Sequence, residues 1–326
     1  MNTRRTAATA AGLAAALLLG ACANPTGGAT TEVAAGDGSG TSVTIDNSPD
    51  RIRVTTPKVD AIAARVPEAI RRRGSLEIVN SADGSPPLVF HATDDRTRIG
   101  VEVDIAHLVA DTLGLEPEFT AVSWENIFVG VDAAKYDVVF NNITVTEERK
   151  EKYDFATYRK DEVAFQAKKG SGLEIDGFRD VAGRTVAVDS GTNQEKILLD
   201  WNRQAEKAGL EPVDIKYYKD ASDVYLALDS GRVELYLGPG PSAAYRVAAT
   251  GRSEIAGTLS GAGDGLQGLI AAATRKDSGL AEPITAALNE VIGNGAYAKV
   301  LGRWGLSAEA VEKSEINPPG LPKSFT

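Results

Sequence analysis

Three short stretches of the 326-residue chain carry side chains with chemistry to offer. The first is Thr144-Val145-Thr146-Glu147-Glu148-Arg149, in which two hydroxyls precede a guanidinium. The planar fork of an arginine suits a carboxylate better than a lysine does, and charge-assisted bonds of this kind are about twice as strong as neutral ones. The same guanidinium could instead pair with Glu147 or Glu148 on the surface, and Thr144 could merely cap a helix. The second is Gly191-Thr192-Asn193-Gln194, which follows a strand and opens a helix, where free backbone N–H groups favour an anion. Asn193 could there be no more than the helix N-cap. The third is Leu19-Gly20-Ala21-Cys22, which holds the chain's single cysteine. One cysteine forms no intramolecular disulfide and no Cys-rich metal site, and two histidines, His91 and His107, are too few for a zinc centre or a His-based triad. No GxSxG, HExxH or P-loop pattern occurs. Gly261-Ala262-Gly263-Asp264-Gly265 does not open a helix after a strand, so it is no dinucleotide fingerprint. No metal and no cofactor is expected.

Composition narrows the function further. Hydrophobic residues make up 43% and charged residues 25% of the chain, ordinary for a soluble globular protein. Lys+Arg is 35 against 45 for Asp+Glu, a formal charge of -10, which argues against binding a phosphate backbone. No nucleic-acid partner is expected. Arg4 and Arg5 precede an uncharged Ala/Leu run from Thr6 to Leu19, long enough for a signal segment and too short to span a bilayer. The segment 1–21 reads as a signal peptide ending in a sequence that resembles the lipobox of bacterial lipoproteins. That resemblance implies cleavage before Cys22 and lipidation of its thiol; the alternative is an ordinary secretory cleavage site. Residues 22–56 are rich in Gly, Ser, Thr, Asp and Asn with no apolar period, so a disordered tether is expected.

The rest must position the candidate groups, and it alternates strand and helix. Val59, Ile62, Val66 and Ile70 predict a helix over 57–73. Leu76–Asn80 is a strand, 99–113 a helix on Val101, Ile105, Leu108 and Val109, and 124–134 another. Val138-Val139-Phe140 marks a strand, and Thr146 is expected to cap a further helix. Strands at 185–189, 215–218, 234–237 and 269–273 then alternate with helices at 193–208, 221–230, 241–249, 280–292 and 296–304. Such alternation argues for parallel sheets covered on both faces, with ligands beyond the carboxyl ends of the strands.

From about 57 to 310 the chain resembles the family 3 extracellular solute-binding proteins, the receptors of polar amino-acid ABC importers. The likeness rests on Ser85-Pro86-Pro87-Leu88 and Ile99-Gly100-Val101-Glu102-Val103-Asp104, then Trp124-Glu125-Asn126-Ile127 and Tyr136-Asp137-Val138-Val139. Most specific is Ile143-Thr144-Val145-Thr146-Glu147-Glu148-Arg149-Lys150 with Tyr153-Asp154-Phe155. Gly183-Arg184-Thr185-Val186, Ser190-Gly191-Thr192-Asn193-Gln194-Glu195 and Gly295-Ala296-Tyr297 with Trp304-Gly305-Leu306 complete the order. The resemblance implies an α/β, two-lobed type II periplasmic-binding-protein clamshell with two hinge crossovers. Lobe one would be 57–163 plus 265–326, and lobe two 164–264. It also implies a monomeric receptor held by a lipid anchor on the extracytoplasmic face of the cell membrane, partnered by an ABC permease, with no catalysis.

The resemblance places Arg149 and the Thr144 hydroxyl on a ligand carboxylate, with the Asn142 backbone lining the pocket and Thr192 and Asn193 meeting the acid from lobe two. Three departures bear on the ligand. Pro239 stands where the family usually carries the Asp that takes the ammonium, Ser85 replaces a stacking aromatic, and Asn142, after Asn141, fills a position that is often small. Asp83 or Asp189 could supply the missing anion, though each reads first as an ordinary solvated turn or strand-end residue. Trp124 and Tyr158 could flank the cleft or simply pack. The expected ligand is a small carboxylate-bearing solute, with an amino acid as the default. Alternatives on the same fold are a dehydratase-like enzyme, for which Glu195 is the nearest candidate acid, and a ligand-sensing receptor.

Overall fold

A computed structural model of the chain describes residues 29–34 and 42–323. The signal segment and Cys22 lie outside the described residues. Part of the expected tether is ordered: β1 (Thr30–Ala34) pairs antiparallel with β2 (Ser42–Asp46). The pair is held because it buries Val33 and Ile45 in the main core, although too few apolar residues recur here to announce a strand. Asn47 then donates to Thr31 Oγ1 and to the Tyr245 hydroxyl, both at 3.1 Å. Arg51 pairs with Asp104 at 2.6 Å and Arg53 with Asp111 at 2.7 Å. The 22–56 tether is therefore corrected for the segments described.

The body is built on one nine-stranded sheet. In chain order its strands are β3 (Ser75–Ser81), then, beyond the short pair β4 (Phe90–His91) and β5 (Arg98–Ile99), β6 (Glu116–Val122), β7 (Val138–Thr144), β8 (Tyr153–Lys168), β9 (Thr185–Val188), β10 (Asp214–Tyr217), β11 (Leu235–Pro239), β12 (Ser253–Ser260) and β13 (Gly268–Arg275). Their spatial order is β10-β9-β11-β8-β13-β7-β3-β6, with β12 also on β8. The sheet is mixed rather than parallel. β3 runs parallel to β6 and β7, and β9 to β10 and β11, but β8 is antiparallel to β11, β12 and β13. The reason is β8 itself, a 16-residue strand that serves both halves. Up to Asp161 it pairs with β13; from Glu162 it pairs with β12, and from Val163 with β11. The chain returns through the segment between β12 and β13, so two chain crossings connect the two lobes.

Each lobe is covered on both faces, as period-two burial requires. In lobe one Ile78, Val138 and Phe140 join one core while their neighbours Val79, Val139 and Ile143 join another. In lobe two Val186, Val188, Leu235 and Leu237 face one way, and Ala187 and Tyr236 the other.

Two helix expectations fail for local reasons. The 57–73 helix is two short ones, Asp60–Ala63 and Glu68–Arg73, because Pro67 between them holds an extended backbone at φ -51, ψ 137. The helix expected to start at Thr146 is one 3-10 turn, Arg149–Glu151, since the chain must turn at once into β8. The N-cap of that turn is Glu148 rather than Thr146, although the Thr146 hydroxyl accepts the Arg149 N–H at 3.0 Å.

Candidate functional site

Between the lobes lies a cavity of about 650 Å³. Lobe one supplies Asp83, Ser85, Trp124, Asn141 and Asn142 to its wall, and lobe two supplies Asp189, Thr192, Asn193, Gln194 and Pro239. Three tyrosines, Tyr217, Tyr218 and Tyr236, also line it. Their aromatic character alone gave no signal, because core packing uses the same residues. The lobes meet around this space. Arg149 reaches Gly191, Lys196 pairs with Glu148 at 3.0 Å, and the Ser85 and Ser242 hydroxyls lie 2.7 Å apart.

Six of the candidate ligand residues (Ser85, Trp124, Asn142, Asp189, Thr192, Asn193) come together on the cavity wall; Thr144 and Arg149 do not. Thr144 is buried, and its hydroxyl donates to the Asp161 carboxylate at 2.7 Å. Arg149 sits behind the wall, half-buried, its guanidinium 5.6 Å from the Trp124 ring centroid and 5.3 Å from that of Phe128. It donates to two backbone carbonyls, Thr144 O at 3.0 Å in lobe one and Gly191 O at 3.1 Å in lobe two. Burial lowers its pKa to about 10, so it stays a cation at neutral pH, while Asp161 and Glu148 pull the other way. The surface pairing with Glu147 or Glu148 is not made. Glu147 is taken by Lys150 at 2.7 Å and Glu148 by Lys196.

The wall residues have local causes for their poses. Asn142 holds a left-handed backbone, φ 54, which Asn tolerates better than most residues. Its side-chain oxygen accepts from Arg159 at 2.5 Å, so the side chain is spent on a core arginine. Thr192, not Asn193, is the N-cap of the helix Asn193–Lys207. Its hydroxyl accepts the Glu195 N–H at 3.2 Å and donates to Asp189 O at 2.7 Å. This frees the Asn193 side chain, whose amide donates to Gly261 O at 2.9 Å and reaches Asp161 Oδ2 at 3.4 Å. Asn193 and Gln194 belong to the helix's first turn, where backbone N–H groups have no intrahelical acceptor. Glu195 accepts the Gly191 N–H at 2.6 Å, the work of a loop-fixing carboxylate. Tyr158 is fully buried and donates to Glu102, so it packs in the core and does not flank the cleft.

The cavity is acidic. The half-buried Asp189 carboxylate makes no hydrogen bond or ion pair among the described residues. Burial and then the charge of Asp83 raise its pKa to about 6. Asp83 is itself shifted up, first by burial and, beyond its Ser81 hydrogen bond, by Asp220 and Glu125. The nearby cation on the wall, Lys219, is 3.4 Å from Glu125. Two carboxylates from opposite lobes thus share a concave space with aromatic rings; Arg98 offsets part of the Asp83 charge, and the unpartnered Asp189 leaves the space attractive to an organic cation.

The two lobes, the hinge strand they share and the cleft between them define a binding-protein clamshell fold. The sequence profile of the bacterial extracellular solute-binding proteins, family 3, matches residues 78–307, and the chain belongs to that family. It is 34% identical over 169 residues to the L-cystine-binding protein TcyJ of Escherichia coli (strain K12), a match covering 52% of this chain and 60% of that protein. The chain thus spans about three fifths of that relative's length. To the arginine-binding protein ArgT of Corynebacterium glutamicum it is 28% identical over 271 residues, covering 82% of this chain and 86% of the relative. Among solved structures it is similar to an ancestral arginine-binding protein bound to arginine, with a TM-score of 0.61 and 29% identity, covering 71% of this chain and 98% of the other.

Proposed function

We propose that the protein is the extracytoplasmic receptor of an ABC importer and captures a small amino acid with a cationic end by closing its two lobes. The observation that carries this reading is the inter-lobe cavity with a carboxylate on each side, Asp83 and the unpartnered Asp189, in a chain of this family. These acids take the ammonium or guanidinium that Pro239 cannot, since proline neither accepts nor donates a side-chain proton. The ligand's carboxylate meets the first turn of the helix at Asn193, with the Arg149 charge behind Trp124 adding to the favourable potential. A volume of about 650 Å³ is ample for one amino acid. The names of the relatives, arginine-binding and cystine-binding, support the amino-acid class. Closure on the ligand is the signal to a permease, the body is a monomer, and a lipid on Cys22 holds it at the outer face of the membrane.

The receptor binds and releases its ligand unchanged. Calorimetric titration of the full chain with L-arginine, L-lysine, L-cystine and L-glutamate tests the reading. The expected result is one-to-one binding of the cationic amino acids in preference to L-glutamate, with the ligand recovered intact by mass spectrometry. Preference for L-glutamate, or turnover of any of the four, overturns it.

A further inference from the structure

One buried carboxylate near the cleft has a place that the receptor reading does not explain. Asp161 lies where β8 passes from one lobe to the other, and it is 2% exposed. Its Oδ2 accepts the Thr144 hydroxyl of lobe one at 2.7 Å and lies 3.4 Å from the Asn193 amide nitrogen of lobe two. Room for it is kept by glycine. A Cβ on Gly261 would fall 1.8 Å from Asp161 Oδ2, and one on Gly268 would fall 3.1 Å from Asp161 Cβ. Arg149 and Arg159 lend it positive potential, and Glu162 opposes them. The sequence resemblance assigns the ligand's carboxylate to Arg149, the Thr144 hydroxyl and the helix start at Asn193. Here the Thr144 hydroxyl and the Asn193 amide already face a carboxylate, and it belongs to the protein. A second anion brought to the same donors meets like charge in a poorly solvated space.

We propose that Asp161 is a specificity-determining residue, an internal carboxylate that fills the seat between Thr144 and Asn193 so that a ligand's acid group enters only by displacing it. The inference rests on the reading of the cleft as an amino-acid receptor and adds what that receptor weighs. The cationic end of the ligand, facing Asp83 and Asp189, carries most of the affinity, and its carboxylate carries little. The receptor therefore discriminates weakly between an amino acid and the amine left when its carboxylate is removed.

The probes are L-arginine and agmatine, which differ by that carboxylate alone. Calorimetry on the full chain compares the native protein with Asp161→Ser, which empties the seat, and with the isosteric, neutral Asp161→Asn as a second variant should the serine variant not fold. The native protein is expected to bind the two probes within about tenfold of each other, and either variant to shift the ratio toward L-arginine by about tenfold or more. An unchanged ratio, or a shift toward agmatine, overturns the proposal. A second arm needs no ligand. Acetate, compared with chloride at equal ionic strength, is expected to raise the melting temperature of Asp161→Ala and not that of the native protein; equal response of the two overturns the seat. Absence of binding of both probes by every form, with acetate still rescuing Asp161→Ala, removes the cationic-ligand reading and leaves the seat supported.

Discussion

Arg149 opens the turn before the hinge strand and Arg159 lies within that strand; the first is half-buried, the second fully buried, and they are solvated in opposite ways. Around Arg159 the protein supplies carboxylates. Its guanidinium pairs with Glu102 at 2.8 Å and with Glu309, and donates further to the Asn142 side-chain oxygen. Burial opposes its charge, but the two acids outweigh burial and hold its pKa above the usual value. Around Arg149 the protein supplies only carbonyl dipoles, one from each lobe, with no carboxylate at ion-pair distance among the described residues. There burial wins and the pKa falls to about 10. A buried cation with its anion in place is architecture. One held on backbone dipoles beside a cavity retains potential that an incoming anion can use, at some cost in stability.

The largest test of that contrast is Arg159→Met. It strands Glu102, which is fully buried, and should cost about 3–5 kcal/mol of folding stability in urea unfolding. A cost below 1 kcal/mol, by the same measurement, would remove the distinction between the two arginines. Arg149→Ala should do the reverse. Its unfolding free energy should change by no more than about 1 kcal/mol, while affinity for the bound amino acid falls by up to about tenfold, the loss of a favourable potential behind the cavity wall. Unchanged affinity in calorimetry would make Arg149 a lobe-to-lobe fastener and nothing more.

The smallest effect concerns Asp189. Its folded pKa is raised to about 6 from 3.8, so between those values the folded protein holds a proton that the unfolded chain has lost. Stability therefore falls as pH rises through that window, and stays reduced above it. Asp189→Asn should flatten this slope and raise stability at neutral pH by about 1 kcal/mol, a figure discounted for partial exposure. It should also weaken binding of a cationic amino acid. A gain in stability without a loss of affinity would separate Asp189 from the ligand.

Much of the fold is legible in the residues. Apolar side chains at helical spacing mark Val101–Leu113, Asn193–Lys207 and Ala281–Gly293, and the continuous apolar run of β7 marks a strand covered on both faces. Other strands are not marked in this way, the hinge strand β8 and the short β4–β5 pair among them. β6 (EPEFTAV) and β12 (SEIAGTLS) stay partly exposed, so their composition reads as loop. The β1–β2 pair is missed for a related reason: two buried side chains, Val33 and Ile45, decide its place, and neither belongs to a local pattern. At the site, the helix opening after β9 and the acids Asp83 and Asp189 could be read from position in the chain. Asp161 could not, because its meaning comes from Thr144, Asn193 and Gly261, brought to it across strand pairing and across the cleft.

The chain's own chemistry settled which groups exist and in what order: a guanidinium after paired hydroxyls, a helix opening onto a strand end, a proline where an acid would serve an amine, and a net negative charge. Those are properties of local spacing and residue type, and they survive any arrangement in space. Which acid holds which hydroxyl, which arginine is neutralised and which carboxylate is left facing the cavity were decided only by folding. Each depends on distances of a few ångströms between residues far apart in the chain, and on burial that makes those distances count.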